Sequence, residues 1–214
     1  MKTSVKTLLA SLFTAVVLSS SAFTSMAAAQ SSSASTIVTG IAFNKVVVTG
    51  NVKVELVQAD RQKVEVVEDY NKALTSIVQK GDKLFIDSKE AEPLHVIVYV
   101  KDLHRIQASN TVAVTTRGKF SADVMQVFLQ DKATAFVNGN IGSLYTVVKG
   151  NAELKLKGSS RDHVSVKSKV ARLKTTQFAA LKTTTTSLEG DVLKPEYAME
   201  LSKDSILQRR TSGK

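Results

Sequence analysis

Short runs of alternating apolar and polar residues fill the chain from about residue 41 to residue 192. Such runs at Phe43 to Val48 and Val52 to Val57 flank the turn signal Thr49-Gly50-Asn51, and Leu94 to Val100 is the clearest strand. A period of two residues is typical of strands with one buried face. The pattern predicts an all-β domain whose N-terminal strands form hairpins at Thr49-Gly50-Asn51 and at Lys80-Gly81-Asp82.

Beyond residue 104, apolar strand centres recur about every 20 residues in two interleaved sets. The first set is Ile106, Val127, Val147 and Val166, continued by Thr185, and the second is Val114, Phe136, Leu154, Leu173 and Val192. Two registers of one period are expected when successive coils of chain stack and close a continuous core. The repeat predicts a parallel β-helix or β-solenoid, with a β-sandwich or jellyroll as the alternative, because any β-rich chain spaces its apolar positions in a similar way.

The segment from Ser121 to Leu129 fits two kinds of structure. It could be a short helix capped by Ser121, with apolar residues on one helical face. A strand with Met125, Val127 and Leu129 on its buried face keeps the register of the repeats. We therefore predict a strand.

The first 29 residues have the features of a cleaved signal peptide. Lys2 and Lys6 precede an apolar run from Leu8 to Leu18, and Ala27-Ala28-Ala29 fits the cleavage site. The run is too short to cross a bilayer, which needs about 20 residues, and no later run is longer. The predicted organisation is a signal peptide at 1–29, a flexible Ser/Ala leader at 30–40, a β domain at 41–192 and a charged, disordered tail at 193–214.

The composition favours an exported protein with anionic partners. Removal of Lys2 and Lys6 with the signal peptide lowers the formal net charge from +10 to +8. A basic surface attracts phosphates and acidic sugars, and in an exported protein these are lipid head groups or glycans rather than nucleic acid. The chain has no cysteine, which excludes disulfides and thiolate metal sites. We expect a location in the periplasm or at the cell surface.

Basic residues are concentrated in the later repeats. If Leu154, Leu156, Val166 and Leu173 point inward, alternation sends the neighbouring cations outward. These candidate ligand-binding residues are Lys155, Lys157, Lys167, Arg172 and Lys174. Stacked coils would align them in a basic stripe that binds anionic glycan or lipid phosphate, although such a stripe could equally be a solvated face that discourages strand pairing.

Residues for catalysis or metal binding are sparse. His95, His104 and His163 are too far apart in sequence for a common metal motif, and His163 is expected at a turn on the surface. The acids of the repeats do not recur at one position of the coil, so Glu189 and Asp191 alone could share a face. We therefore predict no enzyme activity, no cofactor and no metal, with a β-helical polysaccharide-active enzyme as a remote alternative.

The entry strands resemble a known family. The pattern Phe43-x-x-Val46-x-Val48-x-Gly50-x-Val52-x-Val54-x-Leu56, then Gly81-x-x-Leu84-x-Ile86 and Val96-x-Val98-x-Val100, is similar to the head GIN domain of auto-transporter adhesins. The resemblance covers about residues 41 to 192. It implies a right-handed β-helical fold, an exported protein and an adhesin-like binding or scaffold role without a defined ligand. The main rival is a basic β-jellyroll that carries lipid or lipopolysaccharide through the periplasm in an open apolar groove.

Overall fold

The computed structural model describes residues 35–37 and 42–188. The described residues belong to one compact unit. The predicted signal peptide at 1–29 and the predicted tail at 193–214 lie outside the described residues, as does most of the leader at 30–40. Within that predicted leader, residues 35–37 form a short strand.

The regular structure of the described residues consists of 13 strands. In chain order they are β1 (Ser35–Ile37), β2 (Lys45–Gly50), β3 (Val52–Gln58), β4 (Lys63–Val66), β5 (Thr75–Lys80), β6 (Lys83–Ser88), β7 (Leu94–Val100), β8 (Arg105–Ala108), β9 (Ala113–Arg117), β10 (Phe120–Leu129), β11 (Thr134–Val148), β12 (Glu153–Ser168) and β13 (Arg172–Leu188). The segment from Ser121 to Leu129 is a strand, and Met125, Val127 and Leu129 are buried as predicted.

The strands form one curled, mixed sheet with two faces joined by bends in the chain. Face A contains β5, β6, β2, β8, β10 and the C-terminal halves of β11, β12 and β13. Face B contains β1, β4, β7, β3, β9 and the N-terminal halves of β11, β12 and β13. The chain therefore passes from one face to the other in each repeat.

The two predicted N-terminal hairpins have different outcomes. The strands around Gly81 do pair antiparallel, and Gly81 has a φ of 58° in the turn. The strands around Gly50 do not pair with each other, because β2 lies on face A and β3 on face B. Gly50 forms the corner between them with a φ of 92°, and a Cβ there would lie 1.9 Å from the carbonyl oxygen of Ser88. The hairpin prediction at Thr49-Gly50-Asn51 was therefore wrong.

Parallel pairing dominates the sheet. Nine of the twelve strand pairings among the described residues are parallel, and the three antiparallel ones involve β4 or β5. Jellyrolls and most sandwiches consist of antiparallel strands, so this pairing distinguishes the sheet from the alternative prediction. On each face the parallel strands instead pair side by side.

The predicted repeat columns were displaced by one residue at three positions. Val127 is in register with Thr146, and Thr146 with Ser165, where Val147 and Val166 were expected. The second column contains Ala135 in place of Phe136. The cause is that apolar residues occupy both sides of these strands, so spacing alone does not reveal which side faces the core.

The core changes character along the stack. On face A, the inner positions Val127, Leu129 and Met125 of β10 are apolar and at most 2% exposed. Two coils later the residues in register with Val127 and Met125 are Ser165 and His163, both buried. On face A the inner side of β12 is therefore polar, although His163 and Ser165 are as buried as the apolar residues of β10.

Two stacked glycines shape the bend between the faces. Gly139 is in register with Phe120, Gly158 with Gly139, and Phe178 with Gly158. Gly158 has a φ of 106°, and a Cβ there would lie 2.1 Å from the carbonyl oxygen of Gly139. The bend therefore requires a residue without a side chain at this position.

Candidate binding surface

Four of the five predicted basic residues lie together on the outer side of face B. Lys155 of β12 is directly in register with Lys174 of β13, and Arg172 is in register with Glu153. Lys157 lies two residues along β12, where its side chain is exposed. Because adjacent strands are about 4.8 Å apart, the charged groups form one compact patch. We call Lys155, Lys157, Arg172 and Lys174 the basic cluster.

One carboxylate orders part of the basic cluster. Glu153 accepts a bond of 2.6 Å from Lys174 Nζ at one oxygen and of 2.9 Å from Arg172 Nε at the other. The hydrogen bond from Lys174 holds the pKa of Glu153 below its ordinary value against the opposing effect of burial. Glu153 neutralises only part of the charge, so the cluster keeps an excess of cations.

The side chain of Lys155 lies on an aromatic ring. Its Nζ is 5.5 Å from the centre of the Phe136 ring, which occupies the same outer row on β11. A cation over an aromatic face is held by the ring quadrupole. Phe136 therefore contributes to the surface instead of to the core, where the sequence pattern placed it.

Lys167 does not belong to the basic cluster. It lies at the end of β12 on face A, in register with Val148, and its Nζ donates to the carbonyl oxygen of Ala171 at 3.4 Å. The sequence argument assumed that Val166 points inward, but the bend after Gly158 changes the alternation, so that Ser160 and His163 are both buried. The prediction that Lys167 extends the stripe on the outer face was therefore wrong.

A row of apolar side chains crosses the outer side of face A. Its members are in register on successive strands, with Gln107 as the one polar member: Val78, Phe85, Val47, Gln107, Phe128, Val147 and Val166. Val147 and Val166 are 5% exposed, yet they lie outside the contiguous core. This outer apolar row was missed from the sequence, although the adjacent Val147 and Val148 already indicate apolar residues on both sides of β11.

Charged and polar groups border the outer apolar row. The Arg105 guanidinium lies 5.1 Å from the Phe128 ring centre and donates to Gln126 Oε1 at 2.8 Å. Burial lowers the pKa of Arg105 and raises the pKa of the Tyr145 phenol, whose ring lies 5.9 Å from that of Phe128. Arg105 and Tyr145 are thus partly shielded from water at the border of the row, and the Arg105 cation remains beside the apolar side chains.

A polar groove follows the bend between the two faces. Its volume is about 330 Å³, and its lining comes from three consecutive coils: Ser121, Ala122, Asp123, Asn140, Ile141, Gly142, Ser159, Ser160 and Arg161. Ser159 Oγ donates to Asn140 Oδ1 at 2.9 Å across adjacent strands. The groove is open and shallow, and hydroxyl and amide groups dominate its walls.

The histidines His95 and His163 lie in different surroundings. His95 Nε2 lies 3.1 Å from Glu55 Oε1 on the outer side of face B. The expectation for His163 was wrong, because it is 2% exposed and its Nε2 lies 3.0 Å from Thr146 Oγ1. Within residues 42–188, no group of three or more histidine or acidic side chains could hold a metal ion.

The described carboxylates that show pKa shifts are anchors for cations. Burial acts to raise the pKa of Glu55, but Arg117 and His95 together lower it below its ordinary value. A hydrogen bond from Lys63 likewise lowers the pKa of Glu65. Neighbouring cations therefore favour the ionised form of both carboxylates. The predicted pair Glu189 and Asp191 lies outside the described residues.

These features define a class of protein: an all-β protein of stacked parallel strands that presents a basic cluster and an apolar row on its outer sides. No helix of the described residues is long and apolar enough to cross a membrane. The chain belongs to the family described as "Putative auto-transporter adhesin, head GIN domain", whose model matches residues 42–190. The resemblance of the entry strands is thereby confirmed.

Solved structures of low sequence identity share the fold. A putative adhesin from Bacteroides fragilis is 16% identical, with a TM-score of 0.59 over 72% of this chain and 76% of that chain. A putative adhesin from Parabacteroides merdae is 15% identical, with a TM-score of 0.57 over 72% and 77%. A putative lipid binding protein from Parabacteroides distasonis is 12% identical, with a TM-score of 0.54 over 72% and 78%. No curated relative matches the chain significantly.

Proposed function

We propose that this protein is an exported, adhesin-like binding protein of the cell envelope whose basic cluster binds anionic groups of glycans or lipid heads. The observation that carries the proposal is the register of Lys155 with Lys174, which places two lysines on adjacent strands of the same outer side, near Lys157 and Arg172. One carboxylate, Glu153, accompanies these four cations. Such an excess attracts phosphate, sulfate or carboxylate groups.

The proposal concerns binding and not catalysis. It includes the right-handed sense of the β-helix that the family resemblance implies, and a location in the periplasm or at the cell surface. The family assignment supports export. Protease treatment of intact and lysed cells tests the location: cleavage on intact cells indicates the surface, protection until lysis indicates the periplasm, and a cytoplasmic signal in fractionation contradicts export.

The test of the basic cluster is vesicle sedimentation with the purified protein. We expect binding to vesicles of phosphatidylglycerol and phosphatidylcholine that weakens with salt, and none to phosphatidylcholine alone. Replacement of Lys155, Lys157 and Lys174 by Gln should lower the affinity about 100-fold, since each lysine near an anionic surface contributes about 1 kcal/mol. Dextran sulfate serves as the probe for an acidic polysaccharide in the same assay.

The matched control removes the same charge elsewhere. Lys72, Lys89 and Lys119 are exposed and lie outside the basic cluster, so their replacement by Gln has the same effect on net charge. If the control variant loses as much affinity as the cluster variant, attraction depends on total charge and the proposed site is refuted. If neither vesicles nor dextran sulfate bind to the unmodified protein, the binding role itself is refuted.

Lipid binding is the second candidate function. The outer apolar row supports it, because Phe128 lies beside the cation of Arg105 and is in register with Val147 and, through it, Val166. The similar structure from Parabacteroides distasonis is described as a putative lipid binding protein. Acyl chains would then lie along the outer row, since apolar side chains fill the core of the early coils.

Solvent extraction of the purified protein separates this candidate from simple surface binding. Co-purifying phospholipid or lipid A would favour lipid binding, and Phe128→Ser should reduce the amount retained. Val170→Ser is the control, because Val170 is 62% exposed and lies outside the row. Extracts free of lipid, together with no uptake of added fatty acid, would contradict a carrier role.

A further inference from the structure

The two ends of the strand stack are built differently. At the N-terminal end, the antiparallel strands β4 and β5 flank the parallel coils, and the three-residue strand β1 pairs with β4. At the other end of the described stack, the 17-residue strand β13 pairs only with β12 within the described residues. A long edge strand offers a row of backbone donors and acceptors to another strand.

The inner side of β13 is also open. Thr183 and Thr185 are exposed, although they are in register with His163 and Ser165, which are buried in the preceding coil. Leu181 at the bend of β13 is 88% exposed. A partner that extends the ladder would therefore cover inner-facing side chains as well as a backbone edge.

We propose that β13 pairs antiparallel with β13 of a second copy of this chain, about a twofold axis at the bend near Ala180. The inference is independent of the binding role proposed above. A twofold axis at residue 180 places Thr175 opposite Thr185 of the second copy, and Thr176 opposite Thr184. Opposed threonines on adjacent strands form favourable cross-strand pairs. The strand sequence is thus complementary to itself when reversed.

The charges of β13 are compatible with this register. The strand carries Arg172, Lys174 and Lys182 and no acidic residue, so many self-pairings would oppose like charges. With the axis at Ala180, the two cations in the N-terminal half of β13 face neutral residues of the second copy: Arg172 faces Leu188, and Lys174 faces Thr186. Like charges directly opposite each other destabilise a strand pair, and this register avoids them.

The contact is large enough for a specific dimer. Seventeen residues at about 3.3 Å each give an edge of about 56 Å. If the contact is about 10 Å thick across the sheet, each copy buries about 560 Å². The total of about 1,100 Å² exceeds the threshold of about 1,000 Å² for a biological interface. We expect a reversible dimer, because the contact lies at the lower end of the usual range.

Analytical ultracentrifugation of the full chain tests the proposal through Thr186. Thr186→Lys places a lysine opposite Lys174 of the second copy at two symmetric points, and should weaken the dimer at least tenfold. Thr186→Glu is the matched control, which should leave the dimer as strong or make it stronger. Thr186 is exposed in the single chain, so both variants should have similar thermal midpoints. A monomer at several hundred micromolar, or equal dimer strength in the two variants, would overturn the proposal.

Cross-linking tests the position of the axis. The chain has no cysteine, so Ala180→Cys introduces a single thiol that would face its own copy across the axis. Opposed residues of antiparallel strands have Cα atoms about 4.5–5.5 Å apart, within the range of a disulfide. Under mild oxidation we expect a covalent dimer from Ala180→Cys and none from Thr115→Cys, which is exposed on β9. Equal cross-linking of both variants, or none of either, would refute this axis.

Discussion

Gly158 provides a quantitative test of the stacked bend. Its φ of 106° disfavours any residue with a Cβ, and the added Cβ would lie 2.1 Å from the carbonyl oxygen of Gly139. Two other glycines separate these effects. Gly118 has a φ of 78°, and a Cβ there would have nothing within 4 Å. Gly142 has no positive φ, but a Cβ there would lie 2.5 Å from the backbone carbonyl oxygen of Asp123.

The expected magnitudes follow from these geometries. Gly118→Ala carries only the backbone penalty, about 1–2 kcal/mol. Gly142→Ala carries only the steric penalty, about 1–3 kcal/mol for an overpacked site. Gly158→Ala combines both with a closer contact against a backbone held by the ladder on either side, so we expect a loss of about 4 kcal/mol or more. That loss approaches the whole stability of a marginal domain.

Urea unfolding of the three purified variants measures these losses. The free energy of unfolding at zero denaturant is compared with that of the unmodified protein, provided that the slope against urea is unchanged. We expect Gly118→Ala and Gly142→Ala to keep similar free energies of unfolding, and Gly158→Ala to have a much lower one. If Gly158→Ala is within about 1 kcal/mol of Gly118→Ala, the glycine stack does not constrain the bend, and the register given for β11 and β12 is wrong.

Three further predictions concern the core. Burial lowers the pKa of His163 in the folded state, so the unfolded chain takes up a proton first as the pH falls below about 6.5. Stability should decrease from there towards the lower folded-state pKa by up to about 1.4 kcal/mol per pH unit, and His163→Gln should remove this decrease in urea titrations at several pH values. Leu154→Ala should cost about 2–5 kcal/mol, whereas Leu181→Ala should change stability by less than about 0.5 kcal/mol; equal losses in thermal unfolding would contradict the assigned burial. Ser165 Oγ is buried without a hydrogen-bond partner among the described residues, so Ser165→Ala should raise stability by about 1 kcal/mol, and a clear loss would reveal a hidden partner.

The alternation of the sequence was sufficient to predict an all-β fold. It also indicated the hairpin at Gly81 and the buried residues Met125, Val127 and Leu129 of β10, which recur at every second position of the strand. It failed at the corner of Gly50, since a turn signal between two strands looks the same whether the strands pair or diverge. Pairing partners depend on distant residues and cannot be deduced from a local pattern.

The candidate surface was predictable only in part. Alternation around Leu154 placed Lys155 and Lys157 outward, as the structure shows. It misplaced Lys167, because the bend after Gly158 changes which positions face inward, and no local signal records this change. The outer apolar row remained hidden for a related reason: a valine on the outer side contributes to the pattern in the same way as a valine in the core.

The antiparallel strands at the N-terminal end limit how large an assembly can become. A stack with two identical open ends could add copies indefinitely and grow into a fibre. Here the edge strands at the N-terminal end, β1 and β5, have three and six residues, and short edges resist further pairing. A contact through β13 uses the same surface on both copies, so it closes on itself after one association. The difference between the two ends of the sheet thus favours a finite pair over open-ended aggregation.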